Sequence, residues 1–195
     1  MSRADEILAL VDADPIDFAA LEALLDESSH QERVEATRRF SRKMQRRLFD
    51  QAEGRPVTLD QLVPTEETYK PVHHWGKNTI FPVAVDHFQK RFAKVPGRPD
   101  ILYGYNENWY RFATSPGYYV AYEDDETGEV VVDYTRLPEG RPDEWPKILP
   151  NWFGLGPLIF VGMKDRLRRV SDHVTIGRAY KRKPMSAWFV LVRED

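Results

Sequence analysis

Apolar residues recur along the chain in two rhythms, and the change between them divides it. Up to residue 54 they return every three or four positions: Ile7, Leu8, Leu10 and Val11, then Phe18, Leu21, Leu24 and Leu25, then Val34, Phe40, Met44 and Leu48. That spacing gathers apolar side chains on one side of a helix and predicts three helices. Asp12 to Pro15 separates the first from the second, with Asp14 as N-cap and Pro15 at the first helical position. Ser28 and Ser29 cap the third, a longer helix that stops at Gly54 and Pro56.

From residue 101 the rhythm shortens to two. ILYGY, NWYRFA, GYYVAYE and EVVVDYT read as strands, with Asp124 to Gly128 as the hairpin turn between the last two. A proline-rich loop over 138–151 is expected to cross one end of the sheet. GLGPLIFVGM should add a strand, and MKDRLRRV a helical turn or a bent strand. HVTIGRAY and SAWFVLVRE, joined by Lys181-Arg182-Lys183-Pro184, form a closing hairpin in which Trp188, Val190 and Val192 oppose Phe189 and Leu191 across the strand. Between the two regimes, 55–100 reads as a proline-punctuated connector. Within it, Val85, Phe88, Phe92 and Val95 fit one face of a helix started by Pro82, and an irregular strand is the alternative.

Helices followed by a run of strands make an α+β chain. It comprises a helical segment over 1–54, the connector over 55–100, and an antiparallel sheet over 101–195 that curls or closes into a barrel, all in one compact domain.

Composition narrows the class. With 195 residues, 42% hydrophobic and 30% charged at a net charge of -3, the chain belongs with soluble globular proteins and not with nucleic-acid binders. Its third helix is nevertheless basic, carrying Arg33, Arg38, Arg39, Arg42, Lys43, Arg46 and Arg47. Such a row is either an anion-binding surface or a solvated face that pairs with the acidic first two helices. Cysteine is absent, which removes disulfides, thiolate metal sites and a cysteine nucleophile. MSRADEILALVDADP lacks the uninterrupted apolar core of a secretory signal, and no run approaches the roughly 18 to 20 apolar residues of a membrane span. A cytoplasmic protein is expected.

The candidate chemistry is diffuse. His30, His73, His74, His87 and His173 show no HExxH spacing, and adjacent His73 and His74 point to opposite faces if extended. Gly154-Leu155-Gly156-Pro157 lacks the remainder of a phosphate-binding loop, and no G-x-S-x-G elbow occurs. No metal or other cofactor is therefore expected. What remains is a barrel with inward aromatics, a concave apolar pocket in which a few polar groups orient a ligand. Candidate hydroxyls come from Tyr105, Tyr119 and Tyr134, stacking faces from Trp75 and Trp109, and charge from Arg111, Asp133 and His173. Acid–base chemistry would use His173 or His74 with Asp133 and a tyrosine.

LRRVSDHVTIGRAYKR followed by AWFVLVRED resembles the closing hairpin of small bacterial lipocalin-like, calycin-type proteins of unknown function. His74-Trp75-Gly76-Lys77 is similar to the W-x-G-K element of their GXWXG-type members, although His73 stands where that motif has its first glycine. The resemblance covers about half the chain. It implies a lipocalin-like barrel with an internal ligand site and assigns no reaction. Three functional readings follow: binding of a small apolar or aromatic molecule, a lipid or polyketide-like metabolite; an isomerase, cyclase or hydrolase built on the same cavity; or an interaction module in which the basic helix over 30–50 and the aromatic sheet form a homo-oligomer or partner surface.

Overall fold

A computed structural model describes residues 2–79, 87–107, 115–154, 156 and 160–195. Helices α1 (Arg3–Asp12), α2 (Phe18–Glu27), α3 (His30–Arg38), α4 (Arg42–Gln51) and α5 (Leu59–Leu62) precede eight strands. These are β1 (Val72–Asn78), β2 (His87–Val95), β3 (Arg98–Glu107), β4 (Tyr118–Glu123), β5 (Val130–Asp133), β6 (Lys164–Arg169), β7 (Val174–Lys181) and β8 (Lys183–Arg193). Each strand pairs antiparallel with the next, and β1 pairs with β8, so the sheet is a closed barrel. The α+β order and the antiparallel barrel stand as the patterning predicts.

The helices begin where side chains can satisfy their free N–H groups. Ser2 with Asp5, Ser29 with Glu32 and Thr58 with Gln61 form capping boxes. Two expectations are corrected here. The cap of α2 is Asp17, not Asp14, because its carboxylate accepts from the Ala20 amide. The long third helix is two helices: Ser41 caps α4 by accepting from the Met44 amide, and buried Phe40 turns the chain between α3 and α4. The basic row follows the structural reading in part, with Arg39 on Asp5 and Arg47 on Asp12, both at 2.9 Å. Arg33 is buried, held by Asp195 and the Leu25 carbonyl.

The connector holds more than a connector. Its residues supply α5, β1, β2 and the start of β3. Pro82 and Val85 of the expected helix lie outside the described residues; from His87 to Val95 the helical option gives way to strand β2, in which Phe88 and Phe92 share a face because they lie an even number of residues apart. Of the expected strands, NWYRFA lies outside the described residues. GLGPLIFVGM does so in part, and its described Phe160 to Gly162 form a turn. MKDRLRRV becomes β6, and the 181–184 hairpin turns at Arg182 with φ +49°.

Alternation sorts the strand residues onto two buried faces. Inward, Phe92, Leu102, Tyr119, Val130, Val132, Leu167, Ala179, Phe189 and Leu191 make one apolar cluster. It is closed at one end by Val57, Leu59, Leu62 and Val63 of the segment around α5. Outward, Val174, Ile176, Trp188, Val190 and Val192 pack against Ile7, Leu21, Leu25, Phe40 and Leu48 of the helices. A third cluster joins Ile101, Tyr103, Tyr105, Tyr118 and Val120 on the outer wall to Trp145. The 138–151 segment therefore runs along the outside of β3 and β4 before Asn151 returns to the barrel end.

Candidate polar site inside the barrel

Period two carries three polar side chains into the apolar interior. In β2, Phe88, Lys90 and Phe92 face inward; in β3, Leu102, Gly104 and Asn106; in β6, Asp165 and Leu167. Tyr134, just past β5, joins the same space. Lys90 is 1% exposed, Asp165 2%, Tyr134 3% and Asn106 5%.

The four side chains meet at the Lys90 ammonium. Its Nζ donates to Asn106 Oδ1 at 3.0 Å, to Asp165 Oδ2 at 3.2 Å and to the Tyr134 hydroxyl. All three ammonium protons thus have acceptors. The Tyr134 hydroxyl donates onward to Asp165 Oδ2 at 3.2 Å and accepts from Asn106 Nδ2 at 3.1 Å. Aromatic faces complete the enclosure: Nζ lies 4.9 Å from the ring centres of Tyr119 and Tyr134, 5.3 Å from Phe189 and 5.7 Å from Phe88. Rings so placed favour a cation.

Burial pulls the pair the other way. Loss of water lowers the Lys90 pKa, against the opposing pull of Asp165, and raises that of Asp165, against the pull of Lys90. It also pushes the Tyr134 and Tyr119 hydroxyls well up. Both members of the ion pair are therefore drawn toward their neutral forms, and Tyr134 bridges them. Moving one proton from Lys90 to Asp165 keeps the net charge of the site at zero. The arrangement suits a carbonyl or carboxylate oxygen that takes the place of one of the three acceptors on Lys90, or chemistry that moves a proton among Lys90, Tyr134 and Asp165.

His74 lies beside this cluster. It pairs in register with Lys90, so both point inward, and its ring meets the Phe92 ring edge-on at 4.9 Å. Its Nε2 is 2.9 Å from the Leu62 carbonyl, which can only accept, so Nε2 carries the hydrogen. Burial holds its pKa down to about 3.

The other sequence candidates are dispersed. Tyr119 and Tyr134 face the interior together, with ring centres 5.3 Å apart. Tyr105 is on the outer wall, packed against Tyr118 and Trp145. Trp75 also faces outward and lines a groove of about 470 Å³ with His30, Val34 and Arg38 of α3. Neither can share a cavity with Tyr119. Trp109 and Arg111 lie outside the described residues. Asp133 faces outward and is held by Lys164 at 2.8 Å. His173 follows β6 at the opposite barrel end, 3.1 Å from Asp195. The pairing of Asp133 with His173 is thus corrected: β5 and β6 run antiparallel, and Asp133 registers with Lys164 at the start of β6.

Lys90, Asn106 and Asp165 are hidden by the sequence's own ambiguity. Phe88, Phe92 and Val95 satisfy helical spacing as well as they satisfy a strand, and only the strand reading places Lys90 between the two phenylalanines on one face. In β6 the single inward carboxylate is masked by the arginines around it.

Glu22, Asp26 and Asp172 also cluster, but Glu22 already binds Arg55 and Arg169, and Asp172 binds Arg169. Comparison with protein-family models, with curated proteins and with solved structures finds no match.

Proposed function

We propose that the barrel binds a small, largely apolar or aromatic molecule whose carbonyl or carboxylate oxygen displaces one of the three acceptors of Lys90, with the remaining members of Tyr134, Asn106 and Asp165 fixing its orientation. One observation carries this reading: a lysine and an aspartate, each with a side chain at most 3% exposed, meet inside a mostly apolar, aromatic-walled barrel. A fold gains little from such a pair, because well-packed apolar residues in its place are often as stable or more so. A charged group retained at that cost suits recognition. The resemblance to lipocalin-like proteins belongs to the same proposal, and the closed eight-stranded barrel plugged at one end supports it.

The test is native mass spectrometry of protein purified from its own cells, followed by calorimetric titration of the retained compound class. A bound apolar acid or carbonyl compound, lost in the doubly apolar variant Lys90→Met/Asp165→Leu, supports the reading. A folded protein that retains nothing and binds neither fatty acids nor aromatic acids would falsify it.

A second reading, an isomerase or cyclase, is favoured by the hydrogen-bonded path from Lys90 through Tyr134 to Asp165. Here Lys90, Tyr134 and Asp165 take the place of His173 and Asp133. Chemical change of the retained compound on incubation separates it from simple binding.

A further inference from the structure

The large apolar side chains that stand exposed among the described residues are not scattered. Trp152 is 68% exposed, Phe153 47%, Val161 48% and Leu137 40%, and all four belong to the connection between β5 and β6. Leu137 follows Arg136, whose guanidinium lies over the Tyr122 ring on the outer wall. The other three gather at one end of the barrel. Asn151 fixes the position of Trp152 and Phe153: its Nδ2 donates at 2.7 Å to the carbonyls of Tyr118, at the start of β4, and Tyr134, just past β5. The Tyr134 amide donates to the Met163 carbonyl, which places Val161 beside them.

Cations share that end. Lys164 opens β6 and registers with Tyr180, and Gly162, Lys164 and Arg182 line one cleft. Arg182 and Lys183, at the turn from β7 to β8, are exposed. Among the described residues, the carboxylates near them are occupied or elsewhere. Asp133 is buried on Lys164, and Asp124 binds Arg166. The chain bearing Glu139 has descended to the other end, where Gly140 abuts the Tyr69 hydroxyl; Asp143 and Glu144 precede Trp145 on the outer wall.

From this juxtaposition we propose that the end of the barrel carrying Trp152, Phe153, Val161, Arg182 and Lys183 docks on an anionic lipid bilayer. Tryptophan settles at the level of the headgroups, where its apolar ring and its polar N–H are both accommodated, and phenylalanine buries its apolar ring at the acyl boundary. Lysine and arginine beside them gain from the negative surface potential. A second copy of the chain fits less well. A twofold contact brings a patch against itself and would set Arg182 and Lys183 of each copy against the same cations of the other. The proposal does not depend on what the barrel interior binds.

Sedimentation with vesicles tests it directly. The protein should pellet with phosphatidylcholine vesicles containing phosphatidylserine and much less with phosphatidylcholine alone. Trp152→Ser/Phe153→Ser should abolish binding, and Arg182→Glu/Lys183→Glu should weaken it by roughly tenfold or more. All four positions are exposed, so the thermal unfolding of both variants should match the parent. Brominated lipid chains should quench tryptophan emission in the parent and not in the Trp152→Ser variant. Absence of binding to the mixed vesicles at low salt overturns the proposal, as does binding that survives Trp152→Ser/Phe153→Ser. A dimer in analytical ultracentrifugation that this double variant dissociates would overturn it as well, by showing that the patch is covered by another copy.

Discussion

Lys90 and Asp165, 75 residues apart in the chain, meet at 3.2 Å inside the barrel with side chains 2% and 3% exposed. Removing one partner strands the other in an apolar space. Lys90→Met and Asp165→Leu singly should each destabilise by roughly 3–5 kcal/mol, while the double variant recovers most of the loss. Urea unfolding of the four proteins measures this. Two single losses that add in the double variant would mean that the groups are not coupled.

His74 makes stability depend on pH. Its folded pKa of about 3 lies below the ordinary 6.5, so between those values the unfolded chain takes up a proton that the folded chain refuses. The folded state keeps its full advantage above pH 6.5 and loses it as pH falls, by about 1.4 kcal/mol per unit. His73 and His173, also lowered chiefly by burial, act in the same direction. Compared at pH 6.5 and 4.5, His74→Gln should remove about 2 to 3 kcal/mol of this dependence. Equal pH slopes in parent and variant would count against a buried neutral imidazole.

Gly104 leaves room for a ring. A Cβ there would fall 2.3 Å from the Tyr119 ring and 2.4 Å from the Arg91 carbonyl, the same carbonyl that accepts the Tyr119 hydroxyl at 3.0 Å. Gly104→Ala should therefore cost roughly 1–3 kcal/mol and displace Tyr119 from its place over Lys90. Thermal melts read the first effect, and the near-ultraviolet circular dichroism of the tyrosines reads the second.

Asn151 fastens the long β5–β6 connection. Its side chain donates to two carbonyls and accepts from Ser115 at 3.1 Å. Asn151→Ala leaves those groups buried without this partner and should cost roughly 2–3 kcal/mol. Hydrogen exchange over 138–151 should rise more than exchange in β7 and β8. Uniform acceleration across the protein would place the loss elsewhere.

Residues that obey a single rhythm are legible from the order of amino acids alone. Trp188, Val190 and Val192 separate cleanly from Phe189 and Leu191, and the former meet the helices while the latter meet the barrel core. His73 and His74 part as neighbours on a strand must: His73 reaches Glu194 outside, and His74 is buried within. What stays hidden depends on register between distant strands. Tyr105 and Tyr119 look equivalent as strand tyrosines, yet each has a face fixed by which residue the sheet happens to place inward. Asp133 and Asp165 are likewise indistinguishable until the pairing of β5 with β6 sends one outward to Lys164 and the other inward to Lys90. No local pattern encodes that choice, because it is settled when the barrel closes.

Closure itself joins Trp75 to Val192 and Gly76 to Leu191, and the same strand β8 seats α3 and α4. During synthesis the helices emerge first and the strand that receives them emerges last. Until then the helices lack much of the strand face that receives them, and the free edge of β1 lacks its partner. A ribosome-bound chain stalled before β8 should therefore be a target for chaperones and proteases, and native structure should arrive in one late step instead of growing from the N-terminus.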